Sequence, residues 1–224
     1  QYFSTMDLTS GYYQMGVAED DKHKTAFTTS FGLYEFNRCP QGISNAVPTF
    51  QRTMELLMRG LVGVSALVYL DDIIVYSKTY EDHLCQFREV FSRVREAGLT
   101  LRLEKCEFLT KSVDYLGHII SDKGIRMCPK KTLAIRDFPV PRSPTNVRSF
   151  LGVANFYRRF IENFSVVARP LYDLTKKGVS FVWSAEAERS FAELKRRLMT
   201  ALLLAYPNFS RPFEIHVDAC DVGG

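Results

Sequence analysis

Two adjacent carboxylates separate two apolar, β-rich runs near the middle of the chain. Residues 66–70 and 73–76 flank only Asp71 and Asp72, and a two-residue connection between such runs predicts a β-hairpin with these acids as its turn. Two carboxylates about 4 Å apart repel by roughly 4 kcal/mol at an effective dielectric near 20, and desolvation adds to this cost. A turn that serves folding alone would use Asn-Gly or Asp-Gly. We therefore expect a divalent cation at this turn.

The composition describes a globular chain rather than a disordered one. Its 224 residues allow one large domain or two smaller ones, and 46% are hydrophobic and 24% charged. Five cysteines without CxxC spacing argue against a disulfide framework or a zinc site, and indicate reduced, intracellular thiols. The uncharged run at residues 60–70 is too short to span a bilayer, so we expect no membrane partner.

Basic residues are concentrated in the second half of the chain. Residues 1–128 carry 14 Lys and Arg against 16 Asp and Glu, whereas residues 129–212 carry 15 against 6. An acidic part that could hold cations is thus joined to a strongly basic part. The basic part suits a polyanion, nucleic acid above all, although a solvated helical face would have a similar composition.

The order of apolar patterns predicts an α+β fold, with a sheet covered by helices on one face. The chain opens on Gln1 without a signal peptide or an initiator Met, so we expect a fragment or a processed product. The expected elements are a short strand that ends at Asp7, a hairpin in residues 24–36, a helix in residues 44–60, the Asp71–Asp72 hairpin, a helix from Thr79 to a C-terminal cap at Gly98, and β segments in residues 99–103 and 113–120.

A proline-rich segment, residues 139–144, predicts a domain boundary. Three helices are expected beyond it: one begins at Ser143, a second runs to residues 176–178, and a third begins at Ser184. Alternation from Phe213 onward predicts a new strand that reaches Asp218. The expected domains are residues 1–138, 139–205 and 206–224.

A second acid at a strand end, Asp7, lies 64 positions before Asp71. Strand-end carboxylates can meet across neighbouring strands. Polymerases use such an arrangement to hold two Mg²⁺ ions about 3.5–4 Å apart for in-line phosphoryl transfer. Asp7 and Asp71 are therefore candidate ligands for two Mg²⁺ ions, with Mn²⁺ as the alternative metal.

Three ordered motifs resemble those of reverse transcriptases, and most closely the gypsy-type group of LTR retrotransposons. The motifs are Phe3-Ser-Thr-Met-Asp-Leu-Thr-Ser-Gly-Tyr12, Pro40-Gln-Gly-Ile-Ser-Asn-Ala-Val-Pro-Thr-Phe-Gln51 and Tyr69-Leu-Asp-Asp72. The similarity extends through nearly the whole chain. It implies a polymerase palm with partial fingers, a helical thumb and the first strand of a truncated RNase H-like domain.

The resemblance also implies roles for the charged residues of the site. Asp7 and Asp71 match the metal-binding carboxylates, and Asp72 matches the acid that accompanies them. Lys105 matches the lysine proposed as the general acid toward pyrophosphate, although its position is equally compatible with an ordinary surface lysine.

Further positions match the family's substrate contacts. Tyr12 matches the aromatic gate that excludes a ribose 2′-hydroxyl, and Gln41 and Gly42 match a loop that contacts the nucleotide. From the residues alone, Tyr12 is also compatible with a packed core tyrosine, and Gly42 with a turn glycine.

Two more matches concern the primer and a second activity. Leu116, Gly117 and His118 match the primer-grip hairpin, although His118 is also compatible with a strand end. Asp218 matches the first catalytic carboxylate of a retroelement RNase H domain. Its partner acids would lie beyond Gly224, so we expect RNase H activity in the full polyprotein and not in this chain alone.

The resemblance implies an RNA-directed DNA polymerase within a Pol polyprotein. The expected partners are an RNA or DNA template with its primer, deoxynucleoside triphosphates and the rest of the polyprotein. The expected location is the cytoplasm, in a virus-like particle, or the nucleus. The family has a long fingers segment before the first motif, whereas six residues precede Asp7 here, so we expect weak or absent activity from the fragment. The alternatives are an inactive nucleic-acid-binding remnant and another palm-type enzyme such as a nucleotide cyclase, which would not explain the basic helices.

Overall fold

The structure, a computed structural model, describes residues 1–200 and 203–214 of the chain. The strands are β1 (Tyr2–Asp7), β2 (Phe27–Thr29), β3 (Gly32–Tyr34), β4 (Ala66–Tyr69), β5 (Asp72–Ser77), β6 (Glu107–Thr110), β7 (Ser112–Tyr115), β8 (His118–Ser121) and β9 (Gly124–Met127). The helices are α1 (Ala46–Leu57), α2 (Tyr80–Glu96), α3 (Pro129–Arg136), α4 (Pro144–Phe156), α5 (Phe164–Asp173) and α6 (Ala185–Met199). Short 3₁₀ segments cover Gly11–Gln14, Glu19–Thr25, Leu103–Lys105 and Arg158–Phe160.

An antiparallel sheet with the strand order β4-β5-β1-β6 forms the centre of the first part of the chain. Alternate residues of its strands face opposite sides. On one side Met6 and Ile73 pack with Phe50 of α1 and Val90 of α2, and on the other side Ile74 packs with residues of β7. The α+β prediction, with helices on one face of the sheet, is therefore confirmed.

The predicted hairpin between two apolar runs is present, but its turn lies one residue earlier than expected. Tyr69 pairs with Asp72, so the turn is Leu70–Asp71 and Asp72 already belongs to β5. This register places Ile73 on the side of the sheet that packs against α1 and α2, and a shift by one residue would turn it toward the β7 side. The prediction of Asp71–Asp72 as the turn was wrong, because the sequence shows where the two acids lie but not which residues of the two strands pair.

The segment that follows α2 also differs from the prediction. Thr79 accepts a hydrogen bond from the Asp82 N–H at 3.1 Å, and Gly98 takes a φ of 67°, so both predicted caps of α2 are confirmed. Residues 99–103 form no strand, and Leu101 makes only an isolated bridge to Leu8. The strand beside β1 is instead β6, which the sequence pattern did not predict.

The predicted β segment at residues 113–120 is two strands, β7 and β8, joined at Leu116 and Gly117. Both residues have positive φ values, 49° and 76°, as a tight two-residue turn requires. β8 pairs further with β9, which the sequence pattern did not predict. The result is a three-stranded sheet that packs on the face of the central sheet opposite to α1 and α2.

Residues 129–199, which contain α3 to α6 and are named here the helical unit, enclose a second hydrophobic core. Phe150, Leu171 and Leu194 are fully buried in it. Ser143 and Ser184 cap α4 and α6 as predicted, whereas α5 ends at Asp173, before the predicted end at residues 176–178. The helix α3 was not predicted.

The predicted domain limits remain predictions. Met127 and Ile135 belong to the second core although they precede the predicted boundary at residue 138. Asp218 and the predicted terminal strand beyond residue 214 lie outside the described residues. Within the described ranges, no helix combines the length and the apolar character needed to cross a membrane.

Candidate active site

Pairing of β1 with β5 brings the three predicted acids to one end of the central sheet. Asp7 ends β1 and lies directly opposite Asp72, the first residue of β5. Asp71 occupies the preceding turn, and its carbonyl oxygen accepts a hydrogen bond from the Leu8 N–H at 3.1 Å. The expectation that the two strand ends are neighbours is met.

Gly11 allows the backbone after β1 to approach this site closely. It is buried, and a Cβ at its position would lie 2.8 Å from Phe50 Cζ and 3.2 Å from Asp71 Cβ. A larger residue would therefore displace the Phe50 ring or the Asp71 turn. Gly11 lies within the first motif, but no sequence signal indicated this close approach to Asp71.

Gln51, at the end of the second motif, holds the turn from the other side. Its Oε1 accepts a hydrogen bond from the Leu70 N–H at 2.7 Å, and its Nε2 donates to the Val68 carbonyl at 3.2 Å. Leu70 has a φ of 53°, a left-handed conformation that costs a non-glycine residue about 1–2 kcal/mol. The two hydrogen bonds help to offset this cost. No sequence signal beyond membership of the motif indicated this role.

Lys105 provides a positive charge beside the acids. Its Nζ lies 3.3 Å from Asp7 Oδ2, with the Asp7 side chain 18% exposed and that of Lys105 55% exposed. Burial, and then the charges of Asp71 and Asp7, raise the pKa of Asp72, which Lys105 only partly counteracts. The carboxylates thus hold an excess of negative charge that favours a bound cation.

A cavity of about 590 Å³ opens beside these groups. Asp7, Asp72 and Lys105 line it, but Asp71 does not. Its further walls are Thr5, Met6, Ile73, Glu107, Asp114, Tyr115, Leu116 and Lys130. Burial, with a contribution from Asp72, raises the pKa of Tyr115 well above its usual range, so its phenol is uncharged. The cavity, named here the carboxylate cavity, therefore reaches from the acids to the predicted primer grip.

The predicted nucleotide-binding residues lie apart from this cavity. Tyr12 is half-buried, with its ring centroid 5.3 Å from that of Phe50. Gln41 and Gly42 are exposed on the loop that precedes α1, where Gly42 takes a φ of 96°. None of these three residues lines the carboxylate cavity, and their assignment stays a prediction.

The predicted primer-grip residues form the tip of the β7–β8 hairpin. Leu116 faces the carboxylate cavity. His118 donates from Nδ1 to the Leu116 carbonyl at 3.0 Å, and its ring lies 5.2 Å from that of Phe156 and 6.0 Å from that of Phe160. The hairpin tip therefore connects the acids with the helical unit.

A groove of about 560 Å³ on the helical unit carries three exposed arginines, Arg158, Arg159 and Arg169. None of them forms an ion pair within the part of the chain that the structure describes. Unpaired guanidinium groups suit phosphate oxygens. The groove agrees with the polyanion partner expected from the charge distribution.

The donor set of the acids fits Mg²⁺ or Mn²⁺, because both ions prefer carboxylate oxygens. Among residues 1–200 and 203–214, no group of three or more His, Cys, Asp or Glu side chains could hold a metal ion by itself. Mg²⁺ is commonly bound through one or two carboxylates together with substrate phosphates. Asp7, Asp71 and Asp72 are therefore suited to share ions with a phosphate-bearing substrate.

Two family models match the chain. The model described as "Reverse transcriptase (RNA-dependent DNA polymerase)" matches residues 1–120. The model described as "RNase H-like domain found in reverse transcriptase" matches residues 183–224. The second match includes α6 and so begins before the predicted boundary at residue 206.

Curated relatives resemble the chain over almost all of its length. The chain is 41% identical to the Pol polyprotein from the Drosophila melanogaster transposon 412, 39% to that from transposon 297 and 36% to that from transposon gypsy. These matches cover 98%, 99% and 100% of the chain, and 18%, 21% and 23% of the relatives. The chain thus spans about a fifth of their length.

Solved structures of a foamy viral protease-reverse transcriptase share the fold. A form in complex with double-stranded DNA aligns with a TM-score of 0.84 and 32% identity, covering 91% of this chain and 36% of the other. A complex with an RNA/DNA hybrid aligns with a TM-score of 0.81 and 32% identity, covering 91% and 28%. Since the polymerase model alone matches more than half of its residues, the chain belongs to the reverse transcriptase (RNA-dependent DNA polymerase) family.

Proposed function

We propose that the chain forms the nucleotidyl-transfer site of an RNA-directed DNA polymerase within a retrotransposon Pol polyprotein. The observation that carries the proposal is the pairing of Asp7 with Asp72 across β1 and β5, with Asp71 in the adjoining turn. Only Lys105 forms an ion pair with these acids in the described part of the chain. Such an excess of carboxylates, at the edge of an open cavity, is what metal-dependent phosphoryl transfer requires.

The proposed reaction joins the primer 3′-hydroxyl to the α-phosphate of a deoxynucleoside triphosphate and releases pyrophosphate. Asp7, Asp71 and Asp72 would hold two Mg²⁺ or Mn²⁺ ions, which lower the pKa of the attacking hydroxyl and neutralise the leaving pyrophosphate. Lys105, beside Asp7, would donate a proton to that leaving group.

The remaining predicted residues would place the two substrates. Tyr12 would exclude a ribose 2′-hydroxyl, and Gln41 and Gly42 would contact the incoming nucleotide. The hairpin tip at Leu116, Gly117 and His118 would hold the primer end, which its position beside the carboxylate cavity supports.

The helical unit would bind the template–primer duplex through its arginine groove. The exposed Arg158, Arg159 and Arg169 favour contact with backbone phosphates, which depends on charge and not on sequence. The foamy viral structures that contain double-stranded DNA or an RNA/DNA hybrid support this class of partner. The rest of the Pol polyprotein is a further partner, and the reaction would take place in a cytoplasmic virus-like particle or in the nucleus.

Extension of a labelled primer on an RNA or DNA template with Mg²⁺ tests the proposal. Asp71→Asn should lower extension by roughly 10²–10³-fold or more, since it removes a charge that acts on the transition state. Duplex binding, measured by fluorescence anisotropy, should be retained. Asp122→Asn, an exposed acid between β8 and β9, is the matched control and should leave both properties unchanged.

The same assay distinguishes the catalytic proposal from the competing hypothesis of a nucleic-acid-binding remnant. If the unsubstituted chain binds the duplex, but neither the chain nor the Pol polyprotein that contains it extends a primer with Mg²⁺ or Mn²⁺, the chain is a binding module and the catalytic proposal is wrong. Extension that survives Asp71→Asn would also contradict the assigned role of the acids.

A further inference from the structure

The tip of the β7–β8 hairpin separates two cavities. Tyr115 and Leu116 line the carboxylate cavity on one side. The same two residues line a second cavity of about 310 Å³, whose opposite wall is formed by Phe156 and Phe160 of the helical unit. Any movement of the tip relative to the helices would therefore change the wall beside Asp7 and Asp72.

One side chain of the helical unit holds this tip by a hydrogen bond. Tyr157, at the C-terminal end of α4, is 1% exposed and its hydroxyl donates to the Gly117 carbonyl at 2.8 Å. The Cys128 N–H donates to the same carbonyl at 3.3 Å. Burial, with smaller contributions from Cys128 and Asp114, raises the pKa of Tyr157 to about 12, so the phenol keeps its proton near neutral pH.

Packing around this hydrogen bond leaves little space for the tip to shift. A Cβ on Gly117 would lie 3.2 Å from Tyr157 Oη and 3.7 Å from Phe156 Cε1. The His118 ring lies edge-on to the Tyr157 ring at 5.3 Å. Ring contacts tolerate sliding, whereas a hydrogen bond is directional. Of the side chains that contact the tip from the end of α4, Tyr157 is therefore the one that orients the turn, together with the backbone hydrogen bond from Cys128.

We propose that Tyr157 is a positioning residue, which makes the Leu116–Gly117 tip follow the helical unit when that unit binds a template–primer duplex. Binding of the duplex backbone to the helices would then present the primer end at Asp7 and Asp72 in a fixed register. This inference rests on the proposed function, in which the tip holds the primer end.

The chain offers a matched pair of variants. Tyr157→Phe removes the hydroxyl but keeps the ring and its packing. Tyr206→Phe removes a similar hydrogen bond, from the Tyr206 hydroxyl to the Ser121 carbonyl at 2.8 Å, at the far end of the same hairpin. Each change removes one hydrogen bond from a tyrosine hydroxyl to a backbone carbonyl, but only the bond of Tyr157 lies at the tip.

The experiment uses the full chain and a duplex whose primer ends in 2-aminopurine, whose fluorescence reports whether the terminal base is stacked. Fluorescence anisotropy of the same duplex gives the Kd. Tyr157→Phe should leave the Kd nearly unchanged. It should also shift the equilibrium between held and free primer ends toward the free state by about twofold to tenfold, the effect of one lost hydrogen bond. Tyr206→Phe should match the unsubstituted chain in both measurements.

Hydrogen exchange of the peptides that contain residues 116–118 gives a readout without nucleic acid. Exchange there should be faster in Tyr157→Phe and unchanged in Tyr206→Phe.

Several results would overturn the inference. The first is an unchanged 2-aminopurine signal in Tyr157→Phe, and the second is an equal change of that signal in Tyr157→Phe and Tyr206→Phe. The third is an increase in the Kd of the duplex that is large enough to explain the change of signal in Tyr157→Phe. If the unsubstituted chain binds the duplex but gives no terminal signal, the primer-grip role itself is wrong and the inference falls with it. The unsubstituted chain thus tests the proposed function, and the comparison of variants tests the inference.

Discussion

Gln51 shows how a residue outside the acidic cluster controls the position of a carboxylate. Its side-chain amide bonds the backbone on both sides of Tyr69, at Val68 and at Leu70. Asp71 follows directly, so the position of its backbone depends on this turn. Local backbone strain of this kind is tolerated where the surroundings hold it in place.

Gln51→Leu should therefore destabilise the protein by about 1–3 kcal/mol, because the Leu70 N–H loses its acceptor in a partly buried site. Binding of Mn²⁺, followed by electron paramagnetic resonance, should weaken as Asp71 loses its fixed position. Urea unfolding measures the stability. Glu55→Ala, which removes only an exposed partner of Gln51, should change neither quantity, and equal effects of the two variants would contradict this role of Gln51.

His83 is a buried histidine whose tautomer follows from its neighbours. Ser77 Oγ donates to the Thr79 carbonyl at 3.1 Å, so it accepts from His83 Nδ1–H at 2.7 Å. His83 Nε2 is then the acceptor for the Ser4 hydroxyl at 2.7 Å, and Ser4 in turn accepts from the Leu109 N–H at 3.0 Å. The neutral ring satisfies every group in this chain of hydrogen bonds and links α2 to β1, β5 and β6.

Burial lowers the pKa of His83 below its usual 6.5. The unfolded state therefore takes up a proton first as the pH falls, and the free energy of unfolding should decrease below about pH 6.5. His83→Gln should be less stable at pH 7 but should lose less stability between pH 7 and pH 5. Urea unfolding at three pH values measures this, and parallel curves for the two proteins would show that His83 has the same pKa in the folded and unfolded states.

Helix caps illustrate structure that is specified locally. Ser184 begins α6 by accepting a hydrogen bond from the Ala187 N–H at 3.2 Å, and Glu186 and Glu188 occupy the first turn. The helix then buries Phe191 and Leu194 in the second core. The cap and the acids satisfy free N–H groups and the helix dipole, so this start is readable from the sequence.

Ser184→Ala should lower the free energy of unfolding by about 0.5–2 kcal/mol, the usual value of an N-terminal cap. Thermal unfolding followed by circular dichroism provides the measurement. Ser149 lies inside α4 and bonds only the Thr145 carbonyl, so Ser149→Ala is the control and should remain within about 0.5 kcal/mol of the parent protein. A similar loss in both variants would exclude a specific capping effect.

At the scale of the whole molecule, the acidic site and the exposed arginines lie on different parts of the chain. The acids lie at the end of the central sheet, and the three exposed arginines of the groove lie on the helical unit. The hairpin tip connects the two regions through Gly117 and Tyr157. A polyanion held by the helical unit would thus be guided toward the end of the sheet at which we propose that cations bind.

Duplex affinity should therefore depend steeply on salt concentration, and the arginines of the groove should account for a specific part of this dependence. Replacing Arg158 and Arg159 together by Gln should reduce the slope of log K against log salt by about 2, close to one unit for each lost phosphate contact. The control replaces Arg196 and Arg197, both already paired with Glu193, and should change the slope less. Anisotropy titrations at several salt concentrations provide the slopes, and equal effects would mean that only net charge matters.

Local sequence patterns predicted many of the helices and strands, but few of the strands with which each strand pairs. The caps of α2, α4 and α6 depend on residues within one turn of each other, so the prediction was accurate there. The prediction of a strand at residues 99–103 was wrong: Leu101 makes only an isolated bridge to Leu8, and the strand beside β1 is β6. Competition between segments for a sheet edge is decided by tertiary packing and not by propensity.

The sequence by itself determined the α+β class, the order of the main elements, the three acids and their likeness to a polymerase family, because spacing and chemical type are local properties of the chain. The tertiary structure decided what lies between and around them: the turn at Leu70–Asp71, the approach of Gly11 to Asp71, the bonds from Gln51 and the contact of Tyr157 with Gly117. Each of these depends on strand register or on groups far apart in sequence. Only packing of the complete fold selects one such arrangement among many.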